Sequence, residues 1–165
     1  MMVKFLLLAL AFGLAHAKLE GTWKTIAIAA NNIDKIEDGG PLEIFVREIV
    51  CQKECKELLV KFYVKQNGHC SLTTVTGYLQ EDGRTYITLY EGENQYVLVK
   101  ATSEFLLFYS ENVDRASRRT KLLFLAGKGN PLTSEEREKL AEYAKEKDIP
   151  PENIREVLAE DTCPE

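Results

Sequence analysis

The chain reads as an all-β protein: an eight-stranded antiparallel up-and-down barrel with one C-terminal α-helix and a short final strand. Three observations predict this. Between residues 21 and 126, short apolar or alternating runs follow one another, each broken by turn residues. After Pro131 the apolar period changes from two to 3.6. Eight antiparallel strands can close on themselves, which leaves no exposed sheet edge, and eight is the strand number that can hold one small ligand.

The first segment carries one charge, Lys4, then the apolar run Phe5 to Phe12, and ends in Ala15-His16-Ala17. A short apolar stretch with small residues at its end is the pattern of a secretory signal peptide, so residues 1–17 are expected to be removed and 18–165 to form the domain. Removing 17 of the 165 residues leaves 148, enough for one domain with a sizeable core. With Lys4 gone, 20 basic residues face 26 acidic ones, a formal charge near −6. That balance argues against nucleic acid and against an anionic membrane surface as partners. The densest basic cluster, Arg115, Arg118, Arg119 and Lys121 beside Asp114, is expected to be a solvated hairpin rim.

The strands are predicted at 21–29, 42–51, 57–66, 69–79, 84–90, 94–101, 104–111 and 118–126. Asn67-Gly68, Asp82-Gly83 and Glu91-Gly92-Glu93 supply tight reversals. Residues 31–41, ending in Gly39-Gly40-Pro41, form a longer polar connection expected to be a lid or large loop. Val60, Phe62 and Val64 share one strand face, and Leu42, Ile44 and Val46 another, because successive strand residues point to opposite sides. Later runs such as Phe105 to Tyr109 and Leu122 to Leu125 are apolar on both faces, so both must be covered. The cover is a predicted amphipathic helix: Thr133-Ser134-Glu135-Glu136 is a capping box, Leu140, Tyr143, Ala144 and Lys147 fall on one face, and Ile149-Pro150-Pro151 ends it. Ile154, Val157 and Leu158 supply the short final strand.

The cysteines Cys51, Cys55, Cys70 and Cys163 allow three connectivities, and a secreted chain is expected to pair them. Spacing favours a local Cys51–Cys55 bridge across a turn. This leaves Cys70 for Cys163, a closure of about 90 residues that contributes roughly 3 to 5 kcal/mol in the chain-entropy picture.

Three segments, in order, resemble the lipocalin family's signatures over essentially the whole mature chain: Gly21-Thr22-Trp23, Tyr109-Ser110-Glu111-Asn112-Val113-Asp114 and Leu125-Ala126-Gly127-Lys128-Gly129. Within that family, Gly39-Gly40-Pro41, Cys51-Gln52-Lys53-Glu54-Cys55, Tyr90-Glu91-Gly92 and Ile149 to Ile154 are most similar to the mammalian odorant-binding and aphrodisin branch. The resemblance implies the same two disulfides and reversible binding of small volatile or apolar molecules in secretions. The family's arginine over the signature tryptophan has Lys128 as its nearest counterpart.

By alternation and by the family pattern, the cavity-lining candidates are Ile28, Leu42, Ile44, Val46, Val60, Phe62, Val75, Asn94, Tyr96, Phe108, Ser110, Leu122 and Phe124, with Tyr90 at the entrance. The plainer alternative for each is ordinary core. Asn94 and Ser110 can offer a hydrogen bond to a ligand hydroxyl or carbonyl, or else face water near turns. Trp23 is expected to close one barrel end, its indole N–H donating to a carbonyl.

Enzymatic readings find little support: His69 is the only histidine left after the leader, and a thiol-dependent isomerase needs an unpaired cysteine. A zinc site from Cys51, Cys55, Cys70 and His69 competes with disulfides, which a secreted chain favours. No cofactor or metal is expected. The expected partner is a small hydrophobic ligand. The competing reading makes the folded protein itself a signal that meets a receptor through its exterior, and both monomer and homodimer stay open.

Overall fold

A computed structural model of the chain describes residues 19–165, so the predicted leader lies outside the described residues. The strands are β1 (Gly21–Thr22), β2 (Lys24–Ala30), β3 (Ile44–Gln52), β4 (Glu57–Gln66), β5 (His69–Leu79), β6 (Thr85–Leu89), β7 (Glu93–Ala101), β8 (Phe105–Val113), β9 (Arg119–Gly127) and β10 (Ile154–Glu156), with helix α1 (Ser134–Glu146) between β9 and β10. Each of the eight predicted barrel strands is present, whereas the predicted final strand keeps only Ile154, since β10 ends at Glu156 and the chain turns at Val157 into a 3-10 turn over Leu158–Glu160. The first is split in two at Trp23, which with β10 makes ten.

The sheet order is β1-β3-β4-β5-β6-β7-β8-β9-β2-β10, all neighbours antiparallel. One N-terminal stretch therefore pairs with both edges of the sheet and curls it into a barrel. Side chains complete the closure: Thr25 Oγ1 donates to the Ile44 carbonyl and accepts from the Val46 amide, both at 2.9 Å. The expectation of a wall without gaps needs correction. β6 pairs only with the last two residues of β5, Tyr78 and Leu79, so the rest of β5 lacks a β6 partner.

Three bulges decide which side chains face inward. In β2 the register shifts between Thr25 and Ala27, in β3 between Val46 and Glu48, and in β7 between Leu98 and Lys100. A bulge inserts one residue and reverses the alternation beyond it. Ile26 accordingly joins the layer beneath α1, with Ala27, Ala29, Leu107, Leu123, Leu125, Leu140 and Ala144.

α1 begins with the predicted capping box: Thr133 Oγ1 accepts from the Glu136 amide at 3.2 Å, and Glu136 Oε1 accepts from the Thr133 amide at 2.8 Å. Both preferred disulfides are formed, Cys51–Cys55 and Cys70–Cys163. The first spans a turn in which Lys53, Glu54 and Cys55 all have positive φ, 51°, 57° and 64°. Each such non-glycine residue costs about 1 to 2 kcal/mol, so the covalent link holds a conformation the backbone alone disfavours. The second is reinforced by Arg47, which donates to both Asp161 carboxylate oxygens at 2.7 and 2.6 Å and to the carbonyls of Cys163 and Pro164.

Candidate ligand-binding cavity

A cavity of about 140 Å³ lies inside the barrel. Of the predicted lining residues, Leu42, Ile44, Val46, Val60, Phe62, Val75, Asn94, Tyr96, Phe108, Ser110, Leu122 and Phe124 border it, as does Tyr90. Ile28 does not. It lies across from Phe124 on β9, but it is fully buried in a cluster with Ala30, Ile36, Leu42, Phe45, Leu122 and Val157.

Ile49, Leu58, Thr88 and Ala126 also line the cavity and were not predicted. Leu58 and Ala126 simply extend the alternation of Val60–Phe62 and Leu122–Phe124, a signal present in the sequence. Ile49 was hidden by the β3 bulge: strict alternation from Val46 points to Glu48, whereas the extra residue turns Ile49 inward instead.

Aromatic rings form one wall. Phe62 meets Tyr90 edge-on with ring centroids 5.1 Å apart, Tyr96 meets Phe108 edge-on at 6.0 Å, and Tyr86 stacks on Tyr96 from outside the cavity lining at 5.7 Å. The Tyr96 hydroxyl has room only because residue 77 is glycine, since a Cβ there would lie 2.0 Å from it. Burial pushes the hydroxyls of Tyr86, Tyr90 and Tyr96 up to about 12, so the wall stays uncharged at physiological pH.

The polar groups are mostly committed to one another. Thr88 Oγ1 and the Tyr96 hydroxyl share a hydrogen bond at 2.8 Å. Asn94 Nδ2 donates to the carbonyls of Tyr90 (2.7 Å) and Thr88 (3.2 Å), while its Oδ1 accepts from Asn112 Nδ2 at 2.9 Å. Asn94 therefore braces the β6–β7 turn, and both of its N–H donors are engaged although it borders the cavity. Ser110 Oγ has no hydrogen-bond partner among the described residues, and the Thr88–Tyr96 pair uses only one of its two hydroxyl protons, so these are the polar groups the cavity can offer.

The connection after β2 covers one end. Its Ile36 and Leu42 pack with Leu122, and Phe124 and Tyr90 lean on the same cluster. Four polar contacts latch it: Arg118 to both oxygens of Asp34 (2.7 and 2.8 Å), Lys35 Nζ to Asp114 Oδ2 (2.8 Å), the Tyr90 hydroxyl to the Pro41 carbonyl (3.2 Å), and Arg155 to Glu43 and the Ile36 carbonyl. Arg118 lies on the exposed β8–β9 hairpin rim, as expected, and from there also pairs with Asp34 of the lid.

At the opposite end Trp23 is 2 % exposed, and its indole N–H donates to the Leu19 carbonyl at 2.9 Å. Lys128 Nζ sits 3.6 Å from the ring centroid and donates to the Thr22 carbonyl, so a lysine occupies the place expected of an arginine.

This cavity, walled by a meandering barrel with a tryptophan-sealed end, coincides with a match to the Lipocalin / cytosolic fatty-acid binding protein family over residues 20–161. The chain belongs to the lipocalins. It is 66% identical to odorant-binding protein 1a of Mus musculus, an alignment covering 99% of this chain and all of that one. Among solved structures, aphrodisin, described as a sex pheromone from female hamster, superposes with a TM-score of 0.86 at 50% identity, covering 89% of this lipocalin and 99% of that chain. Bovine odorant-binding protein in complex with undecanal superposes with a TM-score of 0.64 at 30% identity, covering 90% and 94%. The four thiols of this lipocalin are consumed in two disulfides, which removes the ligands of the alternative zinc site and the nucleophile of a thiol isomerase.

Proposed function

We propose that this lipocalin is a secreted carrier that reversibly binds small hydrophobic molecules of the odorant or pheromone class in its barrel cavity. The observation that carries this reading is the cavity itself: a closed barrel of this size can be packed solid, yet here apolar and aromatic side chains surround open space. Similarity to odorant-binding proteins, one of them complexed with undecanal, supports the same class of ligand. The binding residues are the cavity-lining set, with Ser110 Oγ orienting a ligand hydroxyl or carbonyl and Tyr90 joining the lid to the cavity. No bond is made or broken, and the tyrosine hydroxyls remain neutral throughout. The two disulfides fit an oxidising, extracellular setting.

The test is saturable binding of the apolar fluorophore N-phenyl-1-naphthylamine, followed by displacement with medium-chain aldehydes and alcohols. Phe62→Trp, which adds bulk beside Tyr90, should abolish fluorophore binding while the circular dichroism spectrum is retained. Correctly oxidised wild-type protein that shows no saturable uptake would overturn the carrier reading. If biological activity survived in a Phe62→Trp protein unable to bind, the exterior surface would be the signal.

A further inference from the structure

The outer face of the barrel holds a second apolar recess, separate from the cavity. Phe105, Leu107 and Leu125 form its floor on the sheet, and Leu132, Leu140 and Tyr143 its wall on the helical side, around a space of about 100 Å³. α1 buries only Leu140 and Ala144, so it seals one side of the outer sheet and leaves the groove toward β7 open.

The rim of this groove is cationic by a specific backbone device. Asn94, Tyr96 and Leu98 alternate inward, which would also send Lys100 into the barrel. The bulge between Leu98 and Lys100 instead turns Lys100 to the outer face opposite Leu107, and bulges commonly re-aim a side chain at a functional surface. Lys100 is exposed and has no ion-pair partner among the described residues. Lys139 has only a solvent-exposed contact with Glu135 at 3.4 Å. The acidic neighbour Glu136 is committed to the Thr133 amide. Thr102 Oγ1 accepts from the Glu104 and Phe105 amides, so its hydroxyl proton is free to be donated.

We propose that this groove is a second binding site, for a small amphiphile with an aliphatic chain and a carboxylate head. The chain lies on the Leu107–Leu125 floor against Leu140, and the carboxylate sits between Lys100 and Lys139 within reach of the Thr102 hydroxyl. The barrel cavity has no cation in its lining, so the two sites sort neutral from anionic apolar molecules.

The test uses octanoate and 1-octanol, titrated into methyl-labelled protein and followed by NMR. Octanoate should shift the methyl groups of Leu107, Leu125, Leu132 and Leu140. Octanol should act chiefly on Val60, Val75 and Leu122. Lys100→Glu with Lys139→Glu, both at exposed positions, should weaken octanoate at the groove by about tenfold or more while leaving the cavity response unchanged. Octanoate shifts confined to cavity methyls, or groove shifts equal for both ligands and undiminished in the double variant, would overturn the proposal. Silent cavity methyls with responsive groove methyls would overturn the carrier reading and leave this one standing.

Discussion

The two ends of the barrel are closed by different chemistry. At one, Trp23 is buried among Leu19, Leu106 and Ala126, its single polar atom is satisfied, and a lysine lies across its exposed side. At the other, the connection over residues 31–43 combines the buried Ile36 and Leu42 with a latch of ion pairs and hydrogen bonds, of which the Asp34–Arg118 pair is open to solvent and the Lys35–Asp114 and Glu43–Arg155 pairs are largely covered. Apolar closure costs surface area to undo, whereas water can replace a charged latch contact by contact. The contrast teaches that the two ends should respond differently to substitution, with stability lost at the tryptophan end and the cover loosened at the latched end.

The comparison breaks most sharply at the tryptophan. Trp23→Ala should destabilise the protein by about 3 to 5 kcal/mol, seen as a lowered thermal midpoint, while ligand release from the protein that remains folded keeps its wild-type rate. Faster release without loss of stability would place the gate at this end. Lys128→Ala should cost about 0.5 to 1 kcal/mol in denaturant unfolding, the range of a cation–π contact at an exposed site.

The smallest stability effect belongs to the lid. Asp34→Asn with Asp114→Asn should leave the thermal midpoint nearly unchanged, yet speed fluorophore release in stopped-flow measurements. The pH dependence has a definite sign. The Arg118 guanidinium bonded to Asp34, and the Lys35 ammonium bonded to Asp114, hold both carboxyls below the usual 3.8. Their contribution is therefore present above that pH and lost as pH falls through the lower folded values. Wild-type release should accelerate in that acid window, and the double variant should lose that step. Glu43 has the opposite sign: burial pushes its carboxyl up although Arg155 opposes this, so its contribution weakens as pH rises through the folded value.

Much of this architecture was legible in the residues because period-two runs, turn dipeptides and the Thr133–Glu136 capping box act locally. The strand positions and both cysteine pairings followed from such signals. The parts that escaped depend on tertiary register. Nothing in Glu43 to Ile49 reveals that β3 bulges after Val46, and that one inserted residue exchanges Glu48 for Ile49 on the inner face. Arg47 looks like an ordinary outward charge until Asp161, 114 residues later, is folded against it. Asn94 borders the cavity as its place in the strand suggests, but only the folded chain shows that the Tyr90 and Thr88 carbonyls engage its amide donors. Ile28 lies across from the cavity residue Phe124 and still does not border the open space, because it is fully buried with Ile36, Phe45 and Val157, contacts that no local pattern announces.

The sealed end also makes the molecule a self-labelled instrument. Trp23 is the only tryptophan in the chain and does not border the cavity. Its emission should report on whether the barrel is intact, so unfolding can be followed optically when the cargo is an aliphatic molecule that neither absorbs nor touches the indole.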